Sequence, residues 1–482
     1  MPTMRPALRR TGPARTGQAA LRDAARYDLR RAAISPGPAD VTGGAARGAL
    51  VIRGGHVLTM DRELGDMPGA DVHVDGARIV AVGPDLQVPG ARLLDARGMI
   101  VAPGLVDTHW HMWNTLLRSM SATSAPGPGY FRVSIDLGRE FGPGDIYQGT
   151  RLACAEAINS GITTVHDWCH NVRGQAHAEA GLRALAESGL RGRFSYGYSA
   201  GHANDQPMDV AGLTRLHRDW DSGGGLLALG MAWRGPGGSN PVMRVPPAVY
   251  RQEIEAARAL GIPVTVHACG PPSSAGQIAA LAQAGLLGPD LQVIHANCAT
   301  PAEIAQLAEA GASVSVSPFT EILIGYGLPQ TAEFLAAGIP TGLSVDTTVL
   351  SGNADMFAIM KVTQGIANGR AHDEFAMTAR QALELATLAG ARSLGMMDDI
   401  GSLTPGKRAD LILVETGSPN LGVFTDPAHM LVTAAQPGNV DTVLVDGRIL
   451  KQGGTLTSLD PAEISREACS SLAGVRSRAA QA

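Results

Sequence analysis

The sequence predicts an α/β protein: a (β/α)8 barrel of the TIM type with a small composite β-sandwich contributed by both ends of the chain. Three observations predict it. Between residues 100 and 346, eight short apolar strand candidates alternate with stretches rich in Ala and Leu, the pattern of βα units on a parallel sheet. Alternating apolar runs with Gly and Asp-Gly turns flank this middle on both sides, first from Ala49 and again after Leu403, as expected of short antiparallel strands. Finally, His or Asp closes several of the eight candidates, and barrel active sites lie at that end of the strands.

In chain order, residues 1–47 form an Arg-rich extension, with Arg9-Arg10 followed by no apolar core of the kind an export signal needs. Arg22, Arg26 and Arg30 suit one face of a short helix. Residues 48–102 supply the first part of the sandwich, in ALVIRGGHVLTMD, ADVHVDGARIVAVGPD and ARLLDARGMIVAPG. The barrel follows over 103–400, its strands expected near Ile100–Asp107, Gly161–Asp167, Gly192–Ser199, Leu226–Trp233, Ile262–His267, Leu291–His295, Ala312–Ser317 and Ile339–Asp346. Residues 401–455, with LTPGKRADLILVE and VDTVLVDGRILKQGG, return to the sandwich, and 456–482 read as a helical tail.

Composition narrows the partners. With a net charge of −5 over 482 residues there is no basic field to hold nucleic acid, and no apolar run reaches membrane-spanning length. A small-molecule substrate is the expected partner. The five cysteines show no CxxC spacing, which points to reduced thiols and a cytoplasmic location. GPGGSN lacks the Lys-Ser/Thr ending of a phosphate loop, and no Gly-x-Ser-x-Gly elbow is present.

The chemistry concentrates at the strand ends. In VAPGLVDTHWHM, His109 and His111 are two residues apart, so in an extended strand both rings aim at one volume, a chelating geometry. Asp107 shares their face and could accept a hydrogen bond from a histidine ring. His166-Asp167, His267, His295 and Asp346 end further strands, so all of these groups would converge on one barrel mouth.

These motifs, together with GITTVHDW, VTVHACG, VIHAN, GLSVDT and IGSLTPGKRADLILV, resemble the amidohydrolase superfamily, in the branch of cytosine deaminase, guanine deaminase and the triazine hydrolases. The resemblance implies that His109, His111, His267 and Asp346 hold one divalent metal, with His295 facing the attacking water or the substrate. Zn²⁺ suits such ligands best, and Fe²⁺, Co²⁺ and Mn²⁺ are compatible with them. The only lysines are Lys361, Lys407 and Lys451, none near the fourth strand, which excludes a lysine-bridged metal pair. In such a site the metal acidifies water, Asp346 takes the proton, and His295 stabilises the developing charge. The resemblance further implies a homo-oligomer, a dimer or larger.

One position departs from the family pattern. Three residues after the fifth-strand histidine the family carries a proton-shuttling glutamate; here Gly270 stands there. Glu321, just past the seventh strand, is the best substitute, the alternative being a solvated loop carboxylate; His166, Asp167 and His202 are weaker candidates. Trp110, Trp113 and Tyr326, with His166 and Asp167, are the candidate pocket residues, suited to a flat or ring-bearing substrate, while Trp168, Trp233, Phe319, Met112 and Met231 add bulk. Asn114 and Arg118 are possible substrate contacts, with a structural salt bridge the alternative for Arg118.

The sequence therefore reads as a metal-dependent hydrolase that directs metal-activated water at a C–N bond of a small cyclic or heteroaromatic substrate. The alternative keeps the mononuclear metal and changes the chemistry, to loss of a halide or thiolate, or to a lyase or hydration reaction. A third reading is a catalytically silent homologue kept as a binding module.

Overall fold

The structure, a computed structural model, describes residues 48–121, 129–220, 222–237 and 244–481. The Arg-rich extension expected over 1–47, and part of the GPGGSN loop, lie outside them. Eight parallel strands, Leu105–Val106, Ile162–Cys169, Arg191–Tyr196, Leu227–Trp233, Val264–Ala268, Leu291–His295, Ser313–Val316 and Thr341–Leu343, follow one another in chain order as the first to eighth strands of the barrel. All eight residues of Ile162–Cys169 are buried, as expected of a parallel strand covered on both faces. The ring closes between the eighth strand and the first through backbone bonds: Thr108 N–H to Leu343 O at 3.0 Å, Asp346 N–H to His109 O at 2.9 Å and His111 N–H to Asp346 O at 2.7 Å.

The connecting helices are sharply punctuated. In Pro301–Ala310, Thr300 caps the N-terminus and Glu303 reaches back to it, while Gly311 ends the helix at φ 69°, a left-handed position that glycine takes without steric cost. Ile304 and Leu307 face inward.

The first barrel strand is shorter than the sequence suggests. Met99–Pro103 pairs antiparallel with Leu411–Glu415 in the outer sheet, and only Leu105–Val106 enters the barrel. The break falls at Gly104, where a Cβ would lie 2.1 Å from Thr163 Oγ1. Only glycine lets the chain cross so closely from one sheet to the other.

The outer sheet has nine strands drawn from both ends of the chain. Leu50–Leu58 pairs with Asp66–Asp75, Arg92–Asp95 and Met99–Pro103, so the sheet forks at this strand. Ile52, Val57, Val72, Leu411 and Leu413 form its own apolar core. Beneath the barrel, Arg191 of the third strand ties the two sheets together. Its Nε donates to Asp410 Oδ2 at 2.6 Å and its Nη2 to Asp446 Oδ1 at 2.5 Å, with all three residues at 5% exposure or less.

Arg408 also reaches Asp446, at 3.3 Å, but removing the Arg191 guanidinium takes from the buried Asp410 its ion-pair partner. Arg191→Met is expected to lower stability by about 3–5 kcal/mol, the scale for breaking a buried ion pair from one side. The measurement is thermal unfolding of metal-loaded protein; a melting temperature equal to the parent's would show that the network contributes nothing.

Candidate metal centre and active site

The seam between first and eighth strands assembles the site. Asp107, fully buried, accepts from His109 N–H at 3.1 Å through Oδ1 and from Val345 N–H at 2.8 Å through Oδ2. It therefore fixes backbone, not the histidine ring that the sequence suggested. Burial raises its pKa well above the usual carboxylate range. Past it, alternation sends His109 and His111 to the same side, and the Nε2 of each lies 3.3 Å from Asp346 Oδ1. His267, from the fifth strand, has its ring centre 4.8 Å from that of His109 and stacks on His111 at 5.3 Å.

Potential ligand atoms of His109, His111, His267 and Asp346 all lie within 4.8 Å of one another. Both ring nitrogens of His109 and Oδ2 of Asp346 are buried without a hydrogen-bond partner. Such atoms are costly to bury unless something else satisfies them. Burial holds His109 down at about 3 and His267 well below the ordinary imidazole range, neighbouring imidazoles adding to the effect on His267. Burial alone would raise Asp346, but the imidazoles of His109 and His111 hold it well below the usual carboxylate range. His111 Nδ1 donates to the carbonyl of Trp168 at 3.1 Å, which leaves its Nε2 lone pair free for the cluster. Neutral imidazoles and an ionised carboxylate are the donor set of a divalent metal such as Zn²⁺, and the residues fit one ion.

His295 closes the cluster from the sixth strand, its Nε2 3.8 Å from Asp346 Oδ2. Glu321 stands behind it. Oε1 of Glu321 accepts from Ser317 N–H at 2.8 Å and meets His295 Nδ1 at 3.1 Å, while Oε2 accepts from Asn297 Nδ2 at 3.2 Å. Glu321 is thus neither a solvated loop carboxylate nor a shuttle facing the open side: it is fully buried and spent on holding the imidazole. Burial pulls the pKa of His295 down, but the Glu321 hydrogen bond and the charges of Asp346 and Glu321 outweigh it and raise it.

The backbone is strained where these side chains are presented. Cys269, His295, Ala296 and Asp346 adopt positive φ of 51°, 79°, 56° and 62°, conformations that non-glycine residues avoid and that persist where surrounding contacts enforce them. They sit at the ends of the fifth, sixth and eighth strands, around the ligand cluster.

Several expected pocket residues lie elsewhere. His166 points into the barrel, Nδ1 to Thr108 O and Nε2 to Ser195 Oγ, both at 2.8 Å; with both nitrogens bonded it is a core histidine. Asp167 faces outward and accepts from Met112 N–H at 3.3 Å, and burial pushes its carboxyl up to about 7. Trp110, between the two histidines, points to the opposite side and is fully buried in the apolar core. Trp113 packs on Phe141 at 5.1 Å and donates to His170 Nδ1 at 3.4 Å. Arg118 pairs with Glu156, and His202 bonds loop carbonyls. Tyr326 alone of these lies at the site, edge-on to His295 at 5.2 Å.

The sequence gave no role to His170 or Tyr198, and only bulk to Trp168. Trp168 stands edge-on to His267 at 4.4 Å, His170 lies 4.3 Å from His111, and Tyr198 backs Trp168 at 6.0 Å. Together they wall one side of the cluster with aromatic rings. Asn114 and Tyr130 meet at 3.5 Å, and Asn114 accepts from Thr347, next to Asp346. The spacing of Trp168 from His166 was the available signal, since residues i and i+2 of a strand share a face, and His170 follows just past the strand end.

A (β/α)8 barrel bearing three histidines and an aspartate at its mouth defines a metal-dependent hydrolase. The chain matches the Amidohydrolase family over residues 100–450 and belongs to it. It is 33% identical over 413 residues to a 5-methylthioadenosine/S-adenosylhomocysteine deaminase of Moorella thermoacetica, covering 82% of this chain and 92% of that one. An adenosine deaminase from Xanthomonas campestris, solved with bound zinc, superposes with a TM-score of 0.78 at 25% identity, covering 89% of this chain and 98% of that one. An atrazine chlorohydrolase from Arthrobacter aurescens complexed with zinc gives 0.76 at 23% identity, covering 88% and 100%, a likeness of fold. The chain is a metal-dependent hydrolase of carbon–nitrogen bonds. Among the described residues no helix is long and apolar enough to cross a membrane.

Protein purified without added metal is expected to carry about one divalent ion per chain, lost in His109→Ala, since the four ligand residues form a single cluster of the size that serves one ion. Elemental analysis decides this; two ions, or one ion retained by the variant, would contradict the assigned ligands.

Proposed function

We propose that the chain is an aminohydrolase that replaces the exocyclic amino group of a 6-aminopurine or similar heteroaromatic ring with oxygen. The observation that carries the reading is the ligand cluster with His295 locked beside it by Glu321. A divalent ion bound there supplies an acidified water close to neutral pH. Asp346 Oδ2, unpartnered and 3.8 Å from His295 Nε2, receives the proton that water gives up. His295 donates a hydrogen bond from Nε2 to the atom that gains charge as the ring is attacked. Glu321 acts through His295: its carboxylate accepts from Nδ1, fixes the ring and favours the imidazolium, which keeps a proton on Nε2 as well, so it is a positioning residue. Trp168 and Tyr198 supply flat apolar surface for an aromatic ring, consistent with the nucleoside deaminases among the relatives.

Gly270 favours the second reading, a halide or thiolate leaving group that needs no proton. Ammonia release separates the two. Zinc-loaded protein given adenosine, 5′-deoxyadenosine and aminotriazines should release ammonia from at least one; turnover of chlorinated rings alone would sink the aminohydrolase reading. Buried free thiols at Cys154, Cys169 and Cys269 support a cytoplasmic setting, and the family resemblance supports a homo-oligomer.

Glu321→Gln should lower kcat by on the order of a hundredfold, the scale of general acid–base groups, with KM and metal content retained. Steady-state kinetics beside metal analysis tests this; loss of the metal would instead make Glu321 a structural support of the cluster.

A further inference from the structure

Gly270 follows His267 by three residues, and the space its side chain would fill is taken. A Cβ built on it would lie 2.8 Å from Cε2, 3.0 Å from Cδ2 and 3.4 Å from Cζ of Tyr326. Its backbone is not in the left-handed region, so the ring of Tyr326, and not the main chain, demands glycine here. The phenol ring from the loop after the seventh strand thus occupies the space that a side chain on the loop after the fifth would take.

Tyr326 is well placed to be more than filler. Its N–H donates to Glu321 O at 2.8 Å, which anchors it one turn from the residue that holds His295. Its ring meets His295 edge-on at 5.2 Å and 80°. The residue is half-buried, and its hydroxyl makes no hydrogen bond among the described residues. Burial, with the negative charges of Asp346 and Glu321, raises the phenol far above its ordinary range, so it stays a proton carrier at neutral pH.

We propose that Tyr326 is the catalytic residue that donates to the departing nitrogen, from the place that a side chain at 270 would otherwise occupy. This rests on the aminohydrolase reading above. In the step, the water oxygen forms a bond to the ring carbon and passes one proton to Asp346. The carbon–nitrogen bond then breaks with its electron pair on nitrogen. The Oη proton of Tyr326 moves to that nitrogen, which leaves as ammonia, and the proton held on Asp346 returns to the phenolate. Protein and charge end as they began.

The test compares amino and chloro leaving groups on one heteroaromatic ring, because chloride departs without a proton. Tyr326→Phe removes one oxygen that bonds nothing else, so the fold should persist. Its kcat on the amino substrate should fall by on the order of 10²–10⁴, and by at least about tenfold more than on the chloro partner, as expected when a proton donor is lost. Equal losses on both substrates, or none on either, overturn the proposal. Absence of ammonia release by the unaltered chain overturns the aminohydrolase reading itself. A second pair of variants reads the exchange without turnover. Gly270→Glu should melt below the parent, and Gly270→Glu with Tyr326→Ala should melt above Gly270→Glu alone. Equal melting of those two variants would show that the ring does not exclude a side chain at 270. In the double variant, recovered ammonia release relative to Tyr326→Ala supports the proposal, because the glutamate then stands in for the phenol.

Discussion

The barrel mouth depends on one carboxylate that takes no part in chemistry. Asp107 bonds the amides of His109 and Val345, joining the first strand to the last where the regular ladder has ended. The strand itself contributes only Leu105 and Val106 to the barrel, too little to hold two histidines in register by ladder bonds alone. With Asp107 in place, Asp346 N–H can bond His109 O and His111 N–H can bond Asp346 O, and three ligands from the first and last strands share one small volume. A buried carboxylate of this kind is tolerated because each oxygen receives a backbone donor.

The same seam explains why the site resists close packing. Burying imidazoles and a carboxylate together, with His109 and Asp346 Oδ2 unsatisfied, opposes folding unless an ion completes them, so metal binding and the stability of the mouth are coupled. His295 is handled differently. It has a counter-charge of its own in Glu321, which keeps it oriented whether or not the neighbouring ligands are occupied. The positive φ angles at Cys269, His295, Ala296 and Asp346 belong to this arrangement, as strand ends bent to bring side chains inward instead of along the strand.

The barrel and the paired His109 and His111 were legible in the sequence because both rest on short-range regularities, whereas the full ligand set with His267 and Asp346 came from the family resemblance. Apolar runs marked the strands, and the two-residue spacing of His109 and His111 put them on one face in any extended conformation. What stayed hidden was long-range or a matter of phase. His166 and Asp167 are adjacent, so one must face inward and the other outward, but nothing local says that the inward one finds Ser195 and Thr108 below the site. Trp110 was drawn into the pocket by its neighbours although alternation alone turns it away from them. Glu321 lies 26 residues from His295, and the exchange between Gly270 and Tyr326 crosses two loops. Neither pairing leaves a trace in local sequence.

A single criterion, absent from the sequence, separates the working histidines from the structural one. His109 and His166 are both fully buried, with ring centres 6.3 Å apart. His166 has both nitrogens bonded, and His109 has neither. The same contrast holds between the barrel's two ends. Underneath, Arg191 and Arg408 balance Asp410 and Asp446 and fasten the barrel to the outer sheet. At the mouth, equally polar groups are held apart from partners of their own. Polar groups that satisfy each other contribute to a rigid frame; polar groups kept unsatisfied by that frame are available to bind and react. The rigidity of the lower layer is therefore the physical condition for the open valences of the upper one.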